Sequence, residues 1–202
     1  MTQASRFDPV ATLLLGAAIA TGNPAFADFG LASIVLPLLI AIVLLAVLAG
    51  GHSGAERSVA VLRWLGAAYI AFIFLWYEQY KLFGAEGSVD LFTTLTNWLG
   101  VPGHEKFMRI GVGSCEITAS LFILVPRLQG LGALGAIALM SGALFFHLVT
   151  PLGVDPYGDG GILFKEACAV WTSGWIVAFW RRDQLVGFAR MLHLPVPGWI
   201  AG

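Results

Sequence analysis

Five stretches of this chain are each about twenty residues long and nearly free of charged side chains, which constrains the fold more than any other feature. They run from about Leu31 to Ala49, Val59 to Lys81, Lys106 to Val125, Leu128 to Val149 and Ile162 to Trp180. At a rise of about 1.5 Å per residue, about twenty apolar residues cross a hydrocarbon layer about 30 Å thick. Inside that layer the backbone must satisfy its own N–H and C=O groups, so each stretch is expected to be a helix. Pro37 is tolerated in the first because neighbouring helices re-satisfy the freed carbonyl. Composition removes the competing classes. Of 202 residues, 58% are apolar and 11% charged, whereas soluble domains average about 45–50% and about 25%. A soluble fold of this size cannot hide that much apolar surface. A net charge of −1 and the lack of any basic run exclude nucleic acid as a partner. The two cysteines cannot build a disulfide framework, and no C-x-x-C spacing occurs.

The expected architecture is an all-α membrane protein. A four-helix bundle occupies residues 59–182, an additional transmembrane helix and cytoplasmic loop precede it at 28–58, and a cytoplasmic or interfacial tail follows at 183–202. Residues 1–27 have two readings. Arg6, the apolar run Val10 to Ala20 and Ala25-Phe26-Ala27 follow the order of a secretory signal peptide. Asp8 and Pro9 fit instead an uncleaved hydrophobic helix, short or re-entrant. Loop charges set the expected orientation. Arg57, Arg63, Arg127, Arg181, Arg182 and Arg190 fall in regions that alternate correctly to be cytoplasmic. Thr150 to Gly161, with only Asp155 and Asp159, faces outward, as does Phe83 to Glu105 with an amphipathic stretch near Leu91 to Leu99. The chain is therefore expected to be a multi-pass membrane protein with a cytoplasmic C-terminus.

Small residues line two of the spans: Gly111, Gly113, Ser114 and Ala119 on one, and Gly130, Gly132, Ala133, Gly135, Ala136, Gly142 and Ala143 on the next. In lipid, helices are held by close backbone approach and dispersion, so these residues read first as packing surfaces. The charged and polar residues inside the spans carry more information. An ionised side chain near a helix centre costs about 2.5–3.5 kcal/mol on insertion scales, so it is expected to be paired or functional. Glu78 and Lys81 lie near the outer end of their span at i, i+3 spacing, which allows a pair. Glu116 falls close to the midplane, roughly 15 Å deep. His147, Lys165 and Glu166 lie at the outer ends of the last two spans. All six belong to the outer half, whereas Val61 to Phe74, Leu121 to Val125 and Ile176 to Phe179 are nearly pure hydrocarbon. A polar pocket opening outward would produce that asymmetry, rimmed by Trp76, Tyr77, Tyr80, Trp98 and Tyr157.

Each group also has a plainer reading. Lys81 and Lys165 can snorkel to the interface, and His147 can be a hydrogen-bonded residue closing its helix. Glu116 is too deep to snorkel and needs a proton, a cation or a ligand. Cys115 and Cys168 sit at comparable depths, which leaves open a redox pair beside the commoner use of cysteine as a small apolar residue. His104, Glu105, Glu116 and His147 come from separate segments without ligand spacing, so no metal site is expected.

Several of these segments resemble the DoxX family of bacterial membrane proteins. The run Arg63 to Phe83 ending in E-Q-Y-K-L-F-G is similar to the family's first helix, and Leu99-Gly100-Val101-Pro102 to the signature that follows it. G-V-G-S-C-E-I-T-A-S-L-F-I-L-V-P-R looks like the second helix with its buried glutamate, Glu116. His147 matches the histidine closing the third, and G-D-G-G-I-L-F-K-E-A the opening of the fourth. The likeness covers roughly residues 60–182; the front extension departs from it. Relatives of that family include the small subunit of an archaeal thiosulfate:quinone oxidoreductase, so the resemblance implies a redox-associated subunit in contact with quinone, without supplying a reaction. Glu116, Glu78 and His147 are the expected proton-exchanging groups, and Lys81, Lys165, Glu166, Tyr77, Tyr80 and Trp76 the further ligand contacts. The chain contains no redox centre of its own, apart from the candidate Cys115 and Cys168 pair, so electrons would come from a protein partner. The alternative is a non-catalytic accessory or scaffold subunit of a larger membrane complex. A transporter is weaker, since inverted repeats and broken midplane helices are not evident.

Overall fold

The computed structural model describes residues 54–196, and among these the chain forms six helices and no strand. The expected first span, Leu31 to Ala49, and the candidate signal peptide lie outside the described residues. The helices are α1 Gly54–Phe83, α2 Glu86–Trp98, α3 Glu105–Leu124, α4 Gln129–Val149, α5 Ile162–Trp180 and α6 Arg182–Met191. Four stretches are long and apolar enough to cross a membrane: Val59–Phe83, Glu105–Leu124, Gln129–Val149 and Ile162–Trp180. The protein is a multi-pass, all-α membrane bundle, and its outward side chains, among them Leu62, Leu65, Phe107, Leu121, Leu148 and Phe179, are apolar and exposed, as contact with lipid requires.

Local chemistry explains where the helices stop. α3 ends as Val125 turns extended (ψ 117°) ahead of Pro126, and α4 as Thr150 does (ψ 169°) ahead of Pro151. The proline ring excludes the helical region for the residue before it. α1 ends at Gly84, whose φ of +67° an L side chain adopts only with strain.

α1, α3, α4 and α5 form a square in which each helix packs on its two neighbours and α1 lies diagonal to α4, α3 to α5. Neighbours are antiparallel. Gly66 meets Val177 and Tyr77 meets Glu166, so the register climbs α1 by eleven residues while descending α5 by eleven. The α3–α4 corner is the tightest: a Cβ on Gly132 would stand 2.6 Å from the Ile123 Cα. Trp64, Ile70, Phe74, Ile123, Val170 and Val177 fill the core between the four helices.

The two short helices close opposite ends. α2 lies across the ends of α1 and α3, with Phe92 and Leu95 buried beneath it. Its start is tied down by the Tyr157 hydroxyl, which donates to the Gly87 carbonyl at 3.0 Å. At its far end Trp98 makes edge contacts with Phe145 and Phe146. At the other end of the bundle, α6 grips the α3–α4 turn through Gln184. Its amide donates to the Pro126 carbonyl at 2.6 Å while its oxygen accepts from the Gly130 N–H at 2.9 Å. Arg181 Nε also donates to the buried Gln129 at 2.8 Å.

Candidate functional site

Between the packed core and the α2 lid the bundle opens into a cavity of about 580 Å³. Its walls are chiefly apolar: Ile73 and Phe74 from α1, Leu91 and Leu95 from α2, Met108 and Val112 from α3, Leu139 and Phe146 from α4, and Leu163 from α5. A volume of several hundred Å³ with few, converging polar groups is the ordinary form of a small-molecule site. The polar groups here form three sets.

The first set joins α1 to α3. Lys81 Nζ donates to Glu78 Oε1 at 3.1 Å and also to Glu116 Oε2, which lies a helix away. The side chain of Lys81 is 12% exposed, and those of Glu78 and Glu116 are 3% and 6%. Lys81 therefore does not snorkel; it turns inward, because two buried carboxylates face it. Lys81 and Glu116 line the cavity, with Glu78 behind them. Glu78 Oε2 is buried and accepts no hydrogen bond.

Arg109 belongs to this set and was absent from the sequence reading. It is 5% exposed, donates from Nε to Glu105 at 3.0 Å and gives a second N–H to the Lys81 carbonyl. That carbonyl is in the last turn of α1, where no helical partner remains for it. The guanidinium thus caps α1 and passes over Gly84, at 3.5 Å from where a Cβ would be. A signal was available: Arg109, Gly113, Glu116, Ser120 and Ile123 recur at helical spacing and form the buried stripe of α3.

The second set joins α1 to α5, where the Tyr77 hydroxyl donates to Glu166 and both line the cavity with Trp76 and Tyr80. Tyr80, on the same face, is 38% exposed and so stands at the rim. The third set is His147, 4% exposed at the end of α4. Its Nδ1 lies 2.6 Å from the Gly153 carbonyl. A carbonyl only accepts, so Nδ1 carries the hydrogen and donates it. His147 is both a hydrogen-bonded helix-end residue and a cavity wall.

The loop between α4 and α5 completes the rim through Tyr157 and Asp159. Partial burial, with Asp159 and Asp90 nearby, pushes the Tyr157 phenol up, so it stays a neutral donor.

Four of the expected residues fall elsewhere. Trp98, expected on the rim, packs against Phe145 and Phe146 and does not line the cavity. Lys165 is exposed at the start of α5 and does not line the cavity, although its neighbour Glu166 does. Cys115 is exposed on the outward side of α3, and Cys168 is half-buried on α5. Both thiols are free, and their helices are the diagonal pair of the square, so they form no dithiol pair. Among the described residues no group of three or more His, Cys, Asp or Glu side chains converges as a metal site would. His104 turns back on its own loop, its ring 3.2 Å from the Pro102 carbonyl.

No family model matches the chain, and neither does any curated protein or solved structure. The likeness to the DoxX family rests on the residues quoted for it alone.

Proposed function

We propose that the protein is a redox-associated subunit of the bacterial inner membrane, its C-terminus cytoplasmic, and that the cavity under α2 takes a quinone-like amphipathic ligand. The observation that carries this reading is the character of the cavity: about 580 Å³ of mostly apolar wall with a lysine, three carboxylates, three tyrosines and a histidine gathered at one end of a membrane bundle. Apolar walls suit a ring and its tail. A quinone head offers carbonyl oxygens that need donors, and Lys81 Nζ is a donor on the wall that also offsets negative charge on a reduced head. Glu116, with Glu78 behind it, and His147 are the groups to exchange protons with it. The residues that resemble the DoxX family add the redox association. With Cys115 and Cys168 apart, two electrons for a quinone would have to come from a protein partner.

Mass spectrometry of the detergent-purified chain with its extracted lipids tests this. Stoichiometric quinone, lost in a Glu116→Gln variant that still assembles, is the expected result. Absence of quinone together with a tightly bound protein would replace this reading with the accessory-subunit one.

A further inference from the structure

The lysine cluster does not balance its charge. Two carboxylates, Glu78 and Glu116, face one ammonium, and all three are withdrawn from solvent. Among the described residues, the other groups around them supply no second cation. On α3, Arg109 is committed to Glu105 and to the Lys81 carbonyl. On α1, Tyr77 and Tyr80 carry phenols, which form no cation, and Tyr77 is bonded to Glu166 of α5. On α4, His147 gives its Nδ1–H to the Gly153 carbonyl and forms no ion pair with either carboxylate. The acidic residues of α2, Glu86 and Asp90, are exposed. A surplus negative charge held in a low-dielectric interior costs several kcal/mol or more, and paired carboxylates avoid it by keeping a proton between them. The geometry contains the matching defect. Glu78 Oε2 is buried and, among the described residues, has no donor, yet the Glu78 and Glu116 carboxyls meet at the same Lys81 Nζ.

We propose that Glu78 and Glu116 share a single proton at neutral pH, forming an acid–carboxylate pair bridged by Lys81 at the wall of the cavity. The proton supplies the missing donor to Glu78 Oε2 and reduces the cluster to one carboxylate and one ammonium. It belongs to the pair rather than to either residue. The proposal deepens the ligand reading, on which only its use rests, by giving the cavity wall a proton to offer to a bound head group.

Infrared spectroscopy of the full chain in lipid nanodiscs, without added quinone, reads the proton itself. The C=O stretch of a protonated carboxyl is expected near neutral pH, shifted in D2O and removed by alkaline titration. Its intensity should correspond to one carboxyl per chain and fall to zero in both Glu78→Gln and Glu116→Gln, since each leaves one carboxylate for Lys81. Glu166→Gln should retain it. A wild-type spectrum without the band, a band that survives in either single variant, or loss in Glu166→Gln would each overturn the proposal. If one of the two variants fails to fold, the other and the wild-type titration still decide. A failed search for quinone would leave the band untouched, and a missing band would leave the cavity's ligand untouched.

Discussion

Glu78 has room for its carboxylate because position 113 carries no side chain. A Cβ there would stand 2.5 Å from Glu78 Oε2 and 3.3 Å from Cδ. The carboxylate is tied by Lys81 and cannot swing aside without breaking the cluster. Gly113→Ala is therefore expected to destabilise the bundle by about 1–3 kcal/mol, the range for overpacking, seen as a lower melting temperature in detergent. Gly111, two residues earlier, has open space around its Cα. Gly111→Ala should be neutral or raise stability by up to about 1 kcal/mol, because alanine is the better helix former. Removing the cation is harsher: Lys81→Met leaves the negative charge of the Glu78 and Glu116 pair buried without a counterion and should cost about 3–5 kcal/mol in the same assay. Removing the charge as well, in Lys81→Met with Glu78→Gln and Glu116→Gln, should restore part of the loss. At this scale the sequence was readable in depth but not in direction. Cys115 and Glu116 lie at the same depth, as do Lys165 and Glu166, yet one of each pair faces outward and the other inward. Adjacent helical residues differ by about 100° around the axis, and only the packing of neighbouring helices decides which of them turns inward.

At the scale of elements, the spans were legible almost to the residue, since length and apolarity set them: α3, α4 and α5 begin and end within one residue of expectation. The work of α2 was not legible. Its amphipathic pattern marked an interfacial helix, but its role as a lid depends on Tyr157 and on Phe145 and Phe146, distant in sequence. The loop that carries Tyr157 is itself held by carboxylates. Asp155 accepts from the N–H groups of Asp159 and Gly160 at 2.9 and 3.2 Å, and Asp159 from those of Gly161 and Ile162, each at 3.0 Å. Desolvation opposes ionisation of Asp155, but backbone donation from Gly161, Asp159 and Gly160 outweighs it and holds the carboxyl below the usual aspartate range. A carboxyl lowered in the folded state stabilises above its unfolded value, and that contribution is lost as pH falls through the folded one. Protection of the 159–162 amides, measured by hydrogen exchange relative to their intrinsic rates at each pH, should therefore fall below about pH 4. Asp155→Asn should exchange faster at neutral pH and respond less to acid. Helix approach gives a second prediction at this scale. Gly132→Ala would press a methyl onto the Ile123 backbone, which cannot give way as a side chain could, and should force α3 and α4 apart. Its melting temperature should fall further than that of Gly142→Ala, where nothing lies within 4 Å.

For the whole molecule, burial changes how the charges count toward orientation. Lys81 and Arg109 lie in the half of the bundle under α2, and by sequence alone they weigh against that end facing outward. Both are folded into the interior, engaged by Glu78, Glu116 and Glu105. The Lys/Arg residues left at the surface then divide unevenly: Lys106 and Lys165 at the α2 end, against Arg127, Arg182 and Arg190 with half-buried Arg63 and Arg181 at the α6 end. Retention of exposed Lys/Arg on the cytoplasmic side favours the α6 end as the inner one. The test uses single cysteines placed at Arg127→Cys or Asp155→Cys, with Cys115 and Cys168 replaced by serine. A membrane-impermeant maleimide applied to spheroplasts should label position 155 at once and position 127 only after permeabilisation. The reverse pattern would put the α2 lid, and with it the Lys81 cluster, on the cytoplasmic side. The distinction bears on mechanism, because a proton bound by the Glu78 and Glu116 pair would then equilibrate with the opposite compartment. The same molecule turned over would draw protons from the cytoplasm, whereas the labelling expected here places their exchange on the outer face.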